Sequence, residues 1–198
     1  MNQIFKKYAP QIGSFVFPNL RRETLDTVHT DTSATSSPVR LLVTASYNQD
    51  PDLLFTRASS FADMMEVTRK IAIYDNLPKG LMEEGKTYST DIQVFRLFKN
   101  SDFKIRIDRL SFEDRVMISQ EGNGIVRTWR HKLEIKPAHS GAVWTDSLEI
   151  DAGILTPVVT RFAKFMYLQR HKNRGALEAN AELGITVGQA KTSTLEGR

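Results

Sequence analysis

The residues best equipped for chemistry lie in one stretch, from Ile125 to Asp151. Alternation in Ile125-Val-Arg-Thr-Trp-Arg-His-Lys-Leu-Glu-Ile-Lys136 puts Arg127, Trp129, His131, Leu133 and Ile135 on one face of a strand. Thr128, Arg130, Lys132, Glu134 and Lys136 take the other face, which is almost wholly solvated, so the first set faces inward. On the next run Ala142, Trp144, Asp146, Leu148 and Ile150 share a face. With a turn over 137–141, one register sets Leu133 opposite Trp144, His131 opposite Asp146 and Trp129 opposite Leu148. A carboxylate beside an imidazole orients the ring and favours its charged form. Such a pair has three uses. It can brace the hairpin register, with Asp146 also capping a loop or meeting Arg127. It can anchor a ligand head group, or it can act as a general acid/base. A slip of one residue would separate the two side chains.

Arg127 raises a related question, because a guanidinium on an inner face needs a carboxylate or an anionic ligand. Asp146 and Asp91 are the candidate partners. Arg96 and Arg109 also alternate with apolar residues in their own strands. Trp129, Trp144, Phe162, Phe165 and Met166 suit either plain core or the wall of an apolar ligand cavity.

Other chemistries find little support. The chain has no cysteine and four histidines, so disulfides, thiolate metal sites and cysteine nucleophiles are excluded. No phosphate loop, dinucleotide fingerprint, zinc-protease helix or nucleophile elbow is present. Gly122-Asn-Gly124 reads as a hairpin turn and Glu83-Glu84 as solvated loop charges. We therefore expect no metal, no cofactor and no nameable catalytic residue.

The elements that must position these residues can be read outward from them. Thr156-Pro157 opens a long helix carrying Val158, Val159, Phe162, Phe165 and Met166 at helical spacing, with Gly175 as its stop. Its other face carries Arg161, Lys164 and His171, within a basic cluster completed by Arg170, Lys172 and Arg174. Positive charge there complements the helix dipole, with weak contact to a membrane surface as the lesser reading. No stacking aromatics interleave with these charges, so nucleic acid is not an expected partner. Upstream, 39–47 is rich in strand formers. Asp50-Pro51 starts a short helix, and Ser60 with Asp63 starts another over 61–66. Strand-like runs follow at 69–75, 86–98, 103–111, 115–121, 125–136 and 142–151, with turn residues between them. The predicted α+β fold is a strongly bent antiparallel sheet of six to seven strands gripping one long C-terminal helix, with two short helices after the first strand.

The 198 residues, with 27 Lys+Arg against 23 Asp+Glu, fit one domain with appended tails. Residues 1–37 read as an N-terminal extension and linker, 38–175 as the folded domain, and 176–198 as a flexible tail with a helical stub near 176–182. No apolar run reaches the length of a membrane span and no secretory signal is legible, so the expected compartment is the cytoplasm.

Between Pro38 and Arg174 this order resembles the START-like superfamily, the helix-grip fold that includes polyketide cyclase/dehydrase and lipid-transport groups. The local pattern carrying the likeness is Trp129-Arg-His131, Thr145-Asp146, Asp151-Ala-Gly-Ile-Leu-Thr-Pro157 and Tyr167…Arg170-His171, as in many uncharacterised bacterial members. The resemblance implies a cavity between sheet and helix that holds a lipid-like or polyketide-like molecule, with only some members acting as enzymes. The leading expectation is a non-enzymatic binder of a small hydrophobic ligand, with Arg127, His131 and Asp146 fixing its polar end. The alternatives are a cyclase or dehydratase using His131 and Asp146 as an acid/base pair, and a partner-binding module with a filled core. The oligomeric state is not legible.

Overall fold

A computed structural model describes residues 38–122 and 126–182, with the side chains of Phe98 and of 178–182 left aside. The expected linker and most of the expected C-terminal tail fall outside the described residues. Strand β1 (Val39–Tyr47) leads to helix α1 (Pro51–Ala58) and helix α2 (Phe61–Thr68). Asp50 caps α1, its Oδ1 accepting from the amides of Asp52 at 3.0 Å and Leu53 at 2.9 Å. Ser60 precedes α2 but makes no side-chain cap bond. Six more strands follow: β2 (Ala72–Asp75), β3 (Thr87–Val94), β4 (Phe98–Ser111), β5 (Val116–Gly122), β6 (Thr128–Ala138) and β7 (Gly141–Asp151). They form one antiparallel sheet in the order β1-β7-β6-β5-β4-β3-β2. Register shifts at Thr90/Ile92 and Ile107/Arg109 bend the long central strands. A 3-10 turn, Gly153–Leu155, runs into helix α3 (Thr156–Glu182), which lies along β1 and β7 and packs on α2. This is the helix-grip arrangement.

Two local expectations need correction. The β6–β7 hairpin is tighter than predicted. Ala138 pairs with Gly141, leaving a two-residue turn, so Leu133 faces Asp146, His131 faces Leu148 and Trp129 faces Ile150. The predicted register is off by two residues. Proline usually ends a central strand because it cannot donate to the ladder. Here β5 stops pairing with β6 at Glu134, so Pro137 continues the strand where no β5 partner remains. The second correction concerns α3, which runs through Gly175 without a break, so Gly175 is not a stop and the helical stub is part of the same helix. Thr156 also differs from a simple cap. Its hydroxyl accepts from the Ala152 amide at 2.9 Å and donates to the Gly153 carbonyl at 2.7 Å, clamping the turn before the helix.

The interior holds two apolar clusters. One, built around Phe55, Phe61, Ile107, Leu133, Ile135 and Trp144, lies beneath α1 and α2. The other joins Leu41, Val43, Leu148 and Ile150 to Ala163 and Tyr167 of α3, with Trp129, Val159 and Met166 at its margin. The start of β1, the β3–β4 turn, the end of β5, the start of β6 and the start of α3 all collect at one end of the sheet. That end is the open mouth of the grip.

Candidate functional site

The inner face of the hairpin carries a polar seam between the two apolar clusters, where an apolar cup was expected. The two-residue register shift preserved strand parity, so His131 and Asp146 still point to the same side. They meet diagonally, with His131 Nε2 2.7 Å from Asp146 Oδ1, and both are almost fully buried. The same oxygen accepts the Trp144 indole N–H at 3.0 Å. Asp146 Oδ2 lies 2.9 Å from His171 Nε2 on α3, and His171 Nδ1 lies 2.6 Å from the Tyr47 hydroxyl at the end of β1. On its other side His131 Nδ1 faces Glu121 Oε1 of β5 at 3.7 Å, and Ser119 donates to that oxygen at 2.9 Å. A chain of polar groups therefore runs Glu121–His131–Asp146–His171–Tyr47 across four strands and the helix.

Its electrostatics are consistent with this order. Burial alone would lower the His131 pKa, but hydrogen bonds to Asp146 and Glu121 outweigh it and carry the pKa to about 9. Burial pushes Asp146 upward, while hydrogen bonds from His131 and His171 reverse it and hold the carboxyl well below the usual range. Glu121 is lowered in the same manner, against its burial, by His131, Ser119 and Arg170. Tyr74 is raised to about 12, first by burial and then by Glu121, and Tyr167 is raised well above its ordinary value by burial. Two carboxylates, one imidazolium and the Arg170 guanidinium thus balance inside the grip.

The sequence-derived candidates separate into three places. His131, Trp144 and Asp146 form the buried seam, each engaged with the others. Arg127 and Trp129 lie elsewhere, at the mouth. Arg127 is exposed and not inward, with its guanidinium over Gly153, where φ is +57°. It meets neither Asp146, which is bound as above, nor Asp91, which pairs with Lys99 at 2.9 Å. Alternation fails at Arg127 because β6 begins only at Thr128. Phe162 and Phe165 are half-buried and pack against Phe95 of the β3–β4 turn, with ring centroids 6.3 and 6.0 Å apart. Met166 borders the second apolar cluster. Arg96 is an exposed residue of the β3–β4 turn, and Arg109 pairs with Asp114.

The basic cluster on the last helix also divides. Arg174 is buried, pairs with Asp63 of α2 and lies 4.8 Å over the Trp144 ring. Arg170 stacks 5.1 Å over Tyr167, and His171 belongs to the seam. Only Arg161, Lys164 and Lys172 of that cluster are exposed. The inward stripe of α3 is Ala163, Tyr167, Arg170 and Arg174, spaced four, three and four residues apart. That periodicity was available in the sequence, hidden by the two arginines in it.

Beyond Gln120↔Arg130 the strands β5 and β6 no longer pair, and a depression of about 300 Å³ opens there. Glu121, Arg127, Trp129, Arg130 and Glu149 are among its lining residues. Glu149 is held by Arg40 at 3.2 Å and Glu121 leans toward His131. Neither Arg127 nor Arg130 has an ion-pair partner among the described residues. The Trp129 indole N–H is buried and has no acceptor among the described residues. Among the described residues no cluster of His, Asp and Glu is arranged to hold a metal, and no helix is long and apolar enough to cross a membrane.

No protein-family model matches the sequence, and no curated protein does. Solved structures do match in fold. A structural-genomics protein from Chromobacterium violaceum superposes with a TM-score of 0.58 at 12% identity, over 70% of this chain and 95% of its own. One from Rhodobacter sphaeroides gives 0.55 at 11% identity, over 75% and 96%. Ara h 8.0201 gives 0.50 at 12% identity, over 68% and 96%. At such identities the likeness is one of fold, and the fold is the helix grip.

Proposed function

We propose that this protein binds a small amphipathic anion, lipid-like or polyketide-like, at the mouth of the grip. The observation that carries the reading is the Trp129 indole N–H, buried and without an acceptor among the described residues, in the same depression as the exposed Arg127 guanidinium. A buried donor left unpaired costs about 1–3 kcal/mol, and a ligand oxygen placed there recovers that cost. Arg127 supplies the positive charge, while Glu121 and Glu149 are engaged with His131 and Arg40. The apolar part would lie against Met166, Phe162 and Phe165 of α3, beneath the Phe95 ring. At about 0.8 kcal/mol per CH₂ removed from water, an eight-carbon chain contributes about 6 kcal/mol before entropy costs.

In this reading His131 and Asp146 are not the anchors of the ligand. Both oxygens of Asp146 are occupied, and both nitrogens of His131 face carboxylates. They are the rigid wall behind the site. The test is titration with a fluorescent fatty-acid analogue. Trp129→Phe and Arg127→Gln should each weaken binding roughly tenfold, since a hydrogen bond to a charged group is worth about 1.5–3 kcal/mol. Lys132→Ala, on the outer face, should leave it unchanged. Absence of saturable uptake, or wild-type affinity in Trp129→Phe, refutes the reading and favours a partner-binding module with a filled interior.

A further inference from the structure

We propose that the mouth of the grip docks on the surface of an anionic lipid bilayer. The inference rests on a different set of residues from the ligand reading and does not require it.

Large apolar side chains protrude here from two separate elements. Ile154 is 96% exposed, Leu155 and Val158 are about half exposed, and Leu97 of the β3–β4 turn is 63% exposed. These are tips rather than the walls of a groove. Isolated aliphatic tips fit an acyl–headgroup boundary, which needs no matching shape, better than they fit a folded partner. Three cations flank them: Arg96 in the same turn as Leu97, and Arg161 and Lys164 on the first turns of α3. All three are exposed and without ion pairs among the described residues. The acids nearby are engaged. Asp151 accepts the Gly153 amide at 2.8 Å, and Asp91 is bound to Lys99 and to the Asp102 amide. Apolar tips ringed by unpaired cations complement anionic headgroups over an apolar interior.

Charge also distinguishes this occupant from two others. A second copy of the chain would bring the same cations face to face. Residues 1–37 include the apolar run Phe15, Val16 and Phe17, but Lys6, Lys7, Arg21 and Arg22 give their first part the sign of the mouth.

The experiment is cosedimentation of the full chain with phosphatidylcholine vesicles, with and without phosphatidylserine. Binding should require phosphatidylserine and weaken as salt shortens the Debye length from about 10 Å toward about 3 Å. The double variant Ile154→Asp, Val158→Asp should bind at least about tenfold more weakly with an unchanged melting temperature. Leu42→Asp, an exposed position on the outer face of β1, should bind like the wild type. No binding to phosphatidylserine vesicles, or equal binding by the double variant, overturns the proposal. Binding that survives in the double variant but is lost in Phe15→Asp, Phe17→Asp also overturns it, by moving the contact to the N-terminal segment.

Discussion

Replacing His131 by glutamine tests the polar seam through its pH dependence. The titratable groups facing the ring are Asp146 from β7, Glu121 from β5 and Tyr167 from α3, with Arg170 stacked on Tyr167 behind it. Folding raises the pKa of His131 from 6.5 to about 9, so the native state holds this proton more tightly than the unfolded chain. The resulting stability is fully present below pH 6.5 and is lost as pH rises through about 9. At 1.36 kcal/mol per pH unit the loss is about 3 kcal/mol. Asp146 has the opposite sign. Its lowered pKa contributes stability above the ordinary carboxylate range, lost on acidification. Urea unfolding followed by tryptophan fluorescence should therefore show a midpoint lower at about pH 9.5 than at about pH 6. With a slope of about 2 kcal/mol per molar, the difference is about 1.5 M. His131→Gln should lose most of that difference. At about pH 6 it should also be less stable by about 3 kcal/mol or more, because the two carboxylates lose their shared cation in a buried setting. Lys132→Gln, the outward neighbour, should retain the wild-type pH dependence. A midpoint that is flat between the two pH values, or a His131→Gln variant with the full wild-type drop, would refute the electrostatic account of the seam.

Three further substitutions probe the frame around it. Asp50→Ala removes both cap bonds of α1 and should cost about 1 kcal/mol by chemical denaturation. Gly141→Ala should cost more than about 2 kcal/mol, since its φ is +91° and a Cβ there would lie 2.1 Å from the Tyr47 carbonyl oxygen. A melting temperature within a degree of wild type would contradict that contact between the β6–β7 turn and the end of β1. Arg174→Met removes the buried partner of Asp63, which keeps Arg57 at 3.4 Å, and should cost about 1.5–3 kcal/mol, while an equally stable variant would mean that packing over Trp144 suffices.

The order of elements was legible because each rests on a local rule. Asp50-Pro51 starts a helix whatever surrounds it, and the alternating stretches must be strands with one buried face. What failed required knowledge of neighbours. Pro137 and Gly141 read as turn residues in the sequence, and only the early end of β5 shows that Pro137 can stay in the strand. The consequence was small for a geometric reason. A shift of two residues returns every side chain to its own face, so His131 and Asp146 still met, diagonally, at 2.7 Å. Arg127 was misplaced because alternation was extended beyond the strand into residues where it has no force. Glu121, Tyr47 and His171 were missed because their roles depend on elements far apart in sequence.

The misreading of α3 shows what the seam does for the fold. A stripe chosen for hydrophobicity selects Val158, Phe162 and Phe165, which are exposed or half-buried at the mouth. The stripe that is buried carries Tyr167 and Arg174, with Arg170 and His171 beside them. Apolar contacts are non-directional, so an aliphatic stripe would permit the helix to slide along the sheet with little change in buried area. The polar contacts do not permit this. His171 must reach Asp146 and Tyr47 together, Arg174 must reach Asp63, and the Asn173 amide must reach the Val67 carbonyl at 2.7 Å. A translation of one residue along the helix, about 1.5 Å, would break all of these bonds and leave buried charges unpaired. The seam therefore fixes the axial position of α3 over β1 and β7. In doing so it holds the first turns of the helix at the mouth, where Phe162 and Phe165 meet Phe95 and where a ligand or a lipid surface would be met.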